Sequence, residues 1–245
     1  MTPQLVLASR SPRRRKLLAH LGLPFRVVIP QLEEDIAPIA TGKPEELAEA
    51  LALAKAQAVA EQEREGIVIA ADTIVVDGET ILGKPADDSE AEATLRRLRG
   101  KTHRVITGLA IVDAASGRRA LGGKRPPPEG GDIDAAAFRL WSRKSLEVPL
   151  ALVDHVTTHV HMRPYTNAEI AAYVARREPL DKAGAYAIQD KQFHPVASYD
   201  GCYCNVVGLP LKALVMLLRR AGLDITSDSL QSLPEQCAAC PIVVE

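Results

Sequence analysis

Residues 67–76 read IVIAADTIVV, and this stretch decides which fold the chain adopts. Its first half is an apolar run with the length of a buried strand, and its second half continues toward a turn at residues 77–78, which predicts a hairpin. An ionised carboxylate inside such a run is costly unless a cation, a metal or hydrogen bonds compensate it. Asp72 is therefore either a functional residue or a side chain turned outward at a bulge or strand end, and both interpretations stay open at this point.

Strands and helices alternate on both sides of this stretch, as expected for an α/β protein. The predicted strands are residues 5–8, 67–71, 74–76, 81–82, 105–112, 152–162 and 185–188, and the predicted helices are residues 13–21, 45–65, 89–99, 166–177 and 210–222. Ser89 with Glu92, and Thr166 with Glu169, predict capping boxes at two helix starts. The pattern favours a mixed α/β fold, with a central mixed β-sheet flanked by helices.

The length of 245 residues suits one large domain or two lobes. Residues 113–149 are broken by glycine and proline, and we expect a mobile insertion there within a main domain of residues 1–222, followed by an irregular extension at 223–245. The net charge of −1 argues against nucleic-acid binding. Because no apolar run reaches the roughly 18 residues of a membrane span and no signal sequence opens the chain, we expect a cytoplasmic protein.

Several cations stand where an anion would stabilise them. Residues 13–16 place four cations in the first turn of a helix, where the helix dipole favours negative charge. A docked phosphate held by backbone N–H groups, serine hydroxyls and arginines would resolve the conflict, and a solvated basic surface is the alternative. Lys55 lies on the apolar stripe of its helix, so it either snorkels or meets an anion. Lys84 follows the predicted hairpin in a tight turn.

Carboxylates in two further segments complete a consistent chemistry. Residues 33–35 are acidic and can supply a ligand for Mg²⁺, which takes one or two carboxylates beside substrate phosphates. Residues 178–186 combine two acids and a lysine in a loop shaped by proline and glycine. Cations for a polyphosphate, carboxylates for a divalent metal and one buried aspartate together favour metal-assisted cleavage of a phosphoanhydride.

Five blocks of the sequence resemble, in order and spacing, the Maf family of nucleoside triphosphate pyrophosphatases. They are ASRSPRR at 8–14, ADT at 71–73, GKP at 83–85, EPLDKAGAYAIQ at 178–189 and NVVGLP at 205–210. The resemblance implies two lobes around a cleft, a homodimer, and hydrolysis of a nucleoside triphosphate to the monophosphate and pyrophosphate with Mg²⁺ or Mn²⁺.

The resemblance also implies roles for individual residues. Asp72 becomes the proton acceptor that activates water, and Glu34 becomes a carboxylate beside the metal, so that these two are the expected metal ligands. Lys55 and Lys84 become catalytic groups that, with Arg13, clamp phosphate charge. Substrate choice is linked to Arg13, Thr73 and Gln189. The other residues that we assign to substrate binding are Ser9, Ser11, Arg14, Asp181 and Lys182.

The loop at 181–189 is more similar to the branch of the family that acts on dTTP and UTP than to the branch that acts on 7-methyl-GTP. The same chemistry on another base is one alternative. A nucleotide-binding regulator of cell division, in which hydrolysis is incidental, is an alternative from a different class. A pure binder has no need of a catalytic Asp72.

The four cysteines form two close pairs, Cys202/Cys204 and Cys237/Cys240. Their spacing suits a four-thiolate zinc site, and a zinc-stabilised nucleic-acid module would be the corresponding function. Free thiols in a reduced compartment are the favoured alternative, and a redox pair is a further one. His155, His159 and His161 share one face of a predicted strand, which is either a transition-metal site or a solvent-facing surface.

Overall fold

A computed structural model describes residues 3–31, 42–63, 65–115, 151–225, 233–238 and 240–242. Glu34 and most of the predicted insertion lie outside these ranges. The strands are β1 (Leu5–Ala8), β2 (Phe25–Val28), β3 (Ile67–Asp77), β4 (Thr80–Leu82), β5 (Thr102–Asp113), β6 (Ala151–Met162) and β7 (Val196–Asp200). The helices are α1 (Pro12–Ala19), α2 (Pro44–Ala60), α3 (Asp88–Leu98), α4 (Asn167–Ala175), α5 (Tyr203–Val207), α6 (Leu211–Arg220) and α7 (Glu235–Ala238).

The strands form one mixed sheet in the order β2-β1-β3-β5-β6-β7, and β4 pairs with β3. β1 runs parallel to both β2 and β3. The remaining pairs are antiparallel, and β3 and β5 pair over almost their whole length, from Ile67 opposite Asp113 to Val76 opposite Arg104. The predicted mixed sheet flanked by helices is confirmed.

Strand β3 passes through Asp72 without a break, so its chain is extended over 11 residues. The predicted hairpin is confirmed, because Val75 pairs with Leu82 and Asp77 pairs with Thr80. The capping box at Thr166 and Glu169 is confirmed as well.

Two local predictions differ from the structure. The predicted strand at 185–188 is wrong, because Gly184 and Ala185 adopt positive φ values of 71° and 60° and turn the chain there. The last strand is β7 instead. Helix α3 is capped by Asp87, whose Oδ1 accepts from the N–H of Glu90 at 2.8 Å, rather than by Ser89. The short strand β2 was not predicted, since its four residues leave too little pattern to read.

The apolar core is divided at the middle of β3 and β5. The β1-side half of β3 packs in two clusters, one including Ile69 and one including Val68. The β4-side half packs in two others, which include Val75 and Val76. On each face of the sheet, Asp72 and Thr73 fall between one cluster and the next. This division agrees with the expected two lobes and places the polar pair at their boundary.

The described part of the C-terminal segment is not wholly irregular. It contains the short helix α7, and Leu233 and Ile242 pack against the same core cluster as α6. Across the described ranges, no helix is both long and apolar enough to cross a membrane.

Candidate active site

Asp72 and Thr73 lie at a gap in the strand pairing along one edge of β3. On that edge β3 pairs with β1 through Leu7 opposite Ile69, and it pairs with β4 only from Val75 onward. Between these two ladders, residues 70–74 have no strand partner on this side within the described part of the chain. The chain leaves β1 toward α1 at one end of the gap, and the turn after β4 lies at the other. A ligand in the gap can therefore reach side chains from both faces of the sheet.

Asp72 lies on the α2 face of the sheet and forms an ion pair with Lys55, whose Nζ donates to Oδ1. Both side chains are largely buried, with 15% and 23% of their surface exposed. The pair explains the cation on the apolar stripe of α2, because the lysine meets an anion there rather than snorkelling. The lysine binds one carboxylate oxygen, so Oδ2 is the oxygen that can face a water molecule or a metal.

Gly108 lets α2 approach the sheet closely enough to form this pair. It stands opposite Asp72 on β5. A Cβ atom at this position would lie 2.1 Å from the backbone oxygen of Ala48 in α2, which is far inside van der Waals contact. The absence of a side chain at Gly108 therefore sets the distance between α2 and β3.

Thr73 lies on the opposite face and takes part in a directed hydrogen-bond chain. Arg14 Nη2 donates to Thr73 Oγ1 at 3.0 Å, and the hydroxyls of Thr73 and Thr107 are 2.9 Å apart. Thr107 Oγ1 donates to the carbonyl of Asn205 at 3.0 Å. Because arginine only donates and a carbonyl only accepts, the Thr73 hydroxyl donates to Thr107. Arg14 Nε also donates to the carbonyl of Gly208 at 2.7 Å, which braces α1 against α5.

Burial lowers the pKa of Arg14, while the nearby Asp72 carboxylate acts in the opposite direction. Asp72 therefore interacts electrostatically with cations on both faces of the sheet: Lys55 through a direct bond and Arg14 at longer range.

Arg13 connects α1 to the loop at 178–186. Its Nη1 donates to Oδ2 of Asp181 at 2.9 Å. Lys182 Nζ donates to the other oxygen of the same carboxylate at 2.6 Å and to Glu178 Oε2 at 3.2 Å. Lys182 is buried, whereas the Asp181 side chain is 60% exposed. Arg13 and Lys182 therefore share the Asp181 carboxylate. Because this carboxylate is exposed, an incoming polyanion can replace it as the partner of both cations.

The remaining predicted residues lie around the gap or at the surface. Ser9 Oγ accepts from the N–H of Ser11 at 3.1 Å, and Ser11 caps α1 through the N–H of Arg14. Lys84 is exposed in the turn after β4, and the carbonyl of the preceding Gly83 accepts from the N–H of Gly184 at 3.1 Å. Gln189 is exposed. The structure thus brings together the cations of α1, α2 and the 178–186 loop, whereas the position of Glu34 lies outside the described residues.

Sequence reasoning missed the buried polar residues that support this site, Thr107 and Asn205. Asn205 Nδ2 donates to the carbonyl of Val105 at 2.9 Å and to Thr158 Oγ1 at 2.8 Å, which fixes α5 against β5 and β6. Both residues are 0% exposed. A polar residue inside an apolar segment was the available signal, and Asn205 stands within one of the five blocks.

The histidines that the sequence offered as a metal site are not grouped in the structure, and two of the four cysteines are bonded to each other. His155 Nδ1 pairs with Glu49 Oε1 at 2.7 Å, His161 Nδ1 pairs with Thr102, and His159 is exposed. Cys204 is joined to Cys237 in a disulfide, which neither the zinc nor the free-thiol interpretation anticipated. Among the described residues, no group of three or more His, Cys, Asp or Glu side chains is arranged to hold a metal as it stands.

The fold is that of a mixed α/β protein, with a carboxylate in a sheet gap that interacts with cations of α2 and α1. A family model described as Maf-like protein matches residues 4–125 and 136–221. The chain belongs to the Maf family.

The chain is also similar to curated relatives over most of its length. A dTTP/UTP pyrophosphatase of Thermomicrobium roseum is 44% identical over 97% of this chain and 93% of its own. Proteins of the same name from Symbiobacterium thermophilum and Dehalococcoides mccartyi are 42% and 39% identical, covering 91% and 90% of this chain and 96% and 83% of their own. A solved Staphylococcus aureus Ham1 protein aligns with 89% of this chain and 99% of its own at 15% identity, with a TM-score of 0.42, which is too distant to support a conclusion.

Proposed function

We propose that this protein hydrolyses dTTP and UTP to the nucleoside monophosphate and pyrophosphate. The observation that carries the proposal is the Asp72–Lys55 ion pair in the gap of β3, since it is a carboxylate held in position beside a set of cations. The relatives named dTTP/UTP pyrophosphatase supply the substrate and the bond that is cleaved.

Asp72 accepts a proton from a water molecule in the gap, and the water oxygen attacks the α-phosphorus. The bond between the α-phosphorus and its bridging oxygen breaks, and pyrophosphate leaves with the bonding electron pair. Lys55 orients the carboxylate through Oδ1 and leaves Oδ2 toward the water. A positioned base of this kind contributes about 10²- to 10⁴-fold to a rate.

The cations of α1 and the neighbouring loops bind the triphosphate. Arg13 and Lys182 exchange the Asp181 carboxylate for phosphate oxygens, and Lys84 approaches from the turn after β4. Fixed positive groups stabilise the charge that develops on the leaving pyrophosphate. Arg14 acts differently, because its two bonds to Thr73 and Gly208 fix the start of α1 relative to the gap.

A divalent cation, Mg²⁺ or Mn²⁺, fits this donor set. One carboxylate, Asp72, faces the gap, and Glu34 is the expected second. Mg²⁺ is commonly held by one or two carboxylates together with substrate phosphates and waters rather than by a closed protein cage. When bound, the cation neutralises phosphate charge.

Base selection rests on Thr73, Arg13 and Gln189. The Thr73 hydroxyl donates a hydrogen bond to Thr107 and accepts one from Arg14. Toward a substrate, its oxygen can therefore only accept a hydrogen bond. Gln189 is exposed and both donates and accepts, which suits the edge of a pyrimidine base.

The test measures pyrophosphate release from a panel of ordinary and modified nucleoside triphosphates with Mg²⁺ or Mn²⁺, using the wild type and Asp72→Asn. We expect release from dTTP and UTP and a loss of at least about 10²-fold in the variant. Asp77→Asn is the matched control, because Asp77 lies on the same strand but pairs with Arg97 outside the gap. It should keep its activity.

Release of equal rate from Asp72→Asn would disprove the catalytic role. Preference for another base, such as 7-methyl-GTP, would keep the mechanism and change the substrate. Binding without release from any nucleotide would favour a regulator.

The assembly and location follow the same proposal. We expect a cytoplasmic homodimer, and light scattering of the purified protein measures its mass directly. A monomer at enzymatic concentrations would contradict the expected dimer without affecting the chemistry.

A further inference from the structure

The four cysteines, which lie far apart in the sequence as two pairs, meet at one place in the structure. Cys204 is joined to Cys237, with Cα atoms 6.4 Å apart, and the Cys202 and Cys240 thiols are hydrogen-bonded to each other. Each cysteine at the start of α5 therefore contacts one cysteine of the C-terminal segment. All four are at most 6% exposed and belong to a single core cluster.

The backbone around these cysteines holds the sulphur atoms in place. The N–H groups of Cys204 and Asn205 donate to the sulphur of Cys202. The N–H of Cys240 donates to the carbonyl of Cys237 at 3.2 Å, which turns the second pair back on itself. N–H donors to sulphur favour the thiolate, which is the form that binds a metal.

The surroundings of the four sulphur atoms also suit a dication. A dication replaces the protons of cysteine thiols and binds the resulting thiolates. Lys212 Nζ, which donates to the carbonyl of Cys240 at 2.9 Å, is a positive charge beside the net negative complex that four thiolates form with a dication.

We propose that the reduced cluster binds one Zn²⁺ through the sulphur atoms of Cys202, Cys204, Cys237 and Cys240. The close spacing within each pair and the meeting of both pairs suit tetrahedral four-thiolate zinc. In the disulfide form the sulphurs of Cys204 and Cys237 are bonded to each other, and they become ligands only after reduction.

The chemistry balances with a dithiol as reductant. The dithiol transfers two electrons and two protons to the Cys204–Cys237 bond, yields two thiols and becomes a disulfide itself. Zn²⁺ then binds four sulphurs and releases four protons. The site has no open coordination position, so its function is structural: it fastens the C-terminal segment to α5, the helix that carries Asn205 and precedes Gly208.

The test determines zinc in the full-length protein, expressed with zinc, purified with a phosphine reductant and dialysed against EDTA to remove weakly held metal. We expect about one zinc ion per chain. Thiol titration of the unfolded protein, after removal of the reductant, should then find four thiols. Two preparations are compared, one purified throughout without reductant and one reduced. The proposal is overturned if the first holds under one tenth of a zinc ion and the reduced protein is also free of zinc.

Cys202→Ser and Cys240→Ser separate the zinc site from the alternative, a disulfide with two free thiols. Neither residue takes part in the Cys204–Cys237 bond. We expect each variant to lose the zinc and to unfold at a lower temperature, and zinc retained by both would overturn the four-sulphur site. Met216→Ser, which removes an exposed sulphur from α6, is the matched control and should keep its zinc.

Replacement of zinc by Co²⁺ identifies the ligands independently of folding. Sulphur–cobalt charge-transfer bands are expected in the wild type and in Asp72→Asn, because the active site offers oxygen ligands only. A cobalt complex without these bands would contradict sulphur ligation.

Discussion

At the scale of the residue, the Asp72–Lys55 pair bears both on stability and on the proposed function. The carboxylate lies in an apolar strand, where its charge is tolerated because the lysine of α2 and, at longer range, Arg14 compensate it. An ion pair of this kind is weak evidence for net stability, but removal of one partner leaves an uncompensated charge. Stability and activity should therefore respond differently to substitutions here.

Lys55→Met should destabilise the protein by about 1–3 kcal/mol, because Asp72 is left without its direct partner. The double variant Asp72→Asn/Lys55→Met should recover most of this loss, while pyrophosphate release stays low in both single variants and in the double variant. Urea unfolding and a rate assay on the four proteins measure the two effects. Additive free energies of unfolding would show that the pair does not couple.

Thr73→Val interrupts the hydrogen-bond chain from Arg14 to Asn205. We expect a loss of about 1–3 kcal/mol, because Arg14 and Thr107 each lose a partner in a largely buried place. The Michaelis constant should rise as the start of α1 loosens. Thr80→Val, at an exposed position of β4, serves as the control. A variant as stable as the wild type would refute the directed chain.

At the scale of the element, the site depends on strand length and on helix approach. Strand β3 has 11 residues, whereas β1 has four, so β3 continues past the end of its neighbour and leaves residues 70–74 without a strand partner on that side within the described ranges. Helix α2 lies against the opposite strand at Gly108 and brings Lys55 to Asp72. The gap and the position of Lys55 within it thus depend on two pairs of elements, β1 beside β3 and α2 against β5, rather than on one loop.

Gly108→Ala should therefore damage both the fold and the site. Its methyl group would meet the backbone of Ala48, which cannot rotate away, so α2 must shift. Overpacking of this type costs typically 1–3 kcal/mol and occasionally more, and we expect about 3 kcal/mol with a large loss of activity. Gly22→Ala is the comparison: it has a positive φ of 67° but no atom within 4 Å, so it should lose only about 1–2 kcal/mol and keep its activity. Equal effects would argue against the close approach.

At the scale of the whole molecule, the two lobes share the sheet but have separate apolar clusters. Side-chain contacts also join the 178–186 loop to the sheet. One of these is the pair between His103 on β5 and Tyr186, whose Nε2 and hydroxyl are 2.8 Å apart. His103 is buried, and burial lowers its pKa to about 4.

This pKa predicts how global stability depends on pH. The unfolded chain takes up a proton on His103 near pH 6.5, whereas the folded protein resists it until about pH 4. Stability from this group is therefore complete above pH 6.5 and declines as the pH falls toward 4, by about 3 kcal/mol at most. In His103→Gln the denaturation midpoint should change less with pH over that range than in the wild type. His159→Gln, at an exposed position on β6, should keep the pH dependence of the wild type. An unchanged slope in His103→Gln would contradict the assignment.

The sequence alone predicted most of the longer strands and helices, the hairpin beyond Asp72 and the family blocks, because apolar periodicity and turn residues act locally. It also singled out the cations of residues 13–16 and Lys55, since these were costly where they stood. It could not place residues 185–188, whose apolar side chains are buried in a turn that Gly184 and Ala185 permit.

Only the tertiary structure decided how these pieces meet. The gap in β3 arises from unequal lengths of neighbouring strands, and Lys55 reaches Asp72 because Gly108 has no side chain. The partners of Thr73 come from α1, β5 and α5, and the four cysteines converge only when the C-terminal segment folds back onto α5. Such contacts depend on distances between elements distant in the chain, which local sequence preferences do not encode.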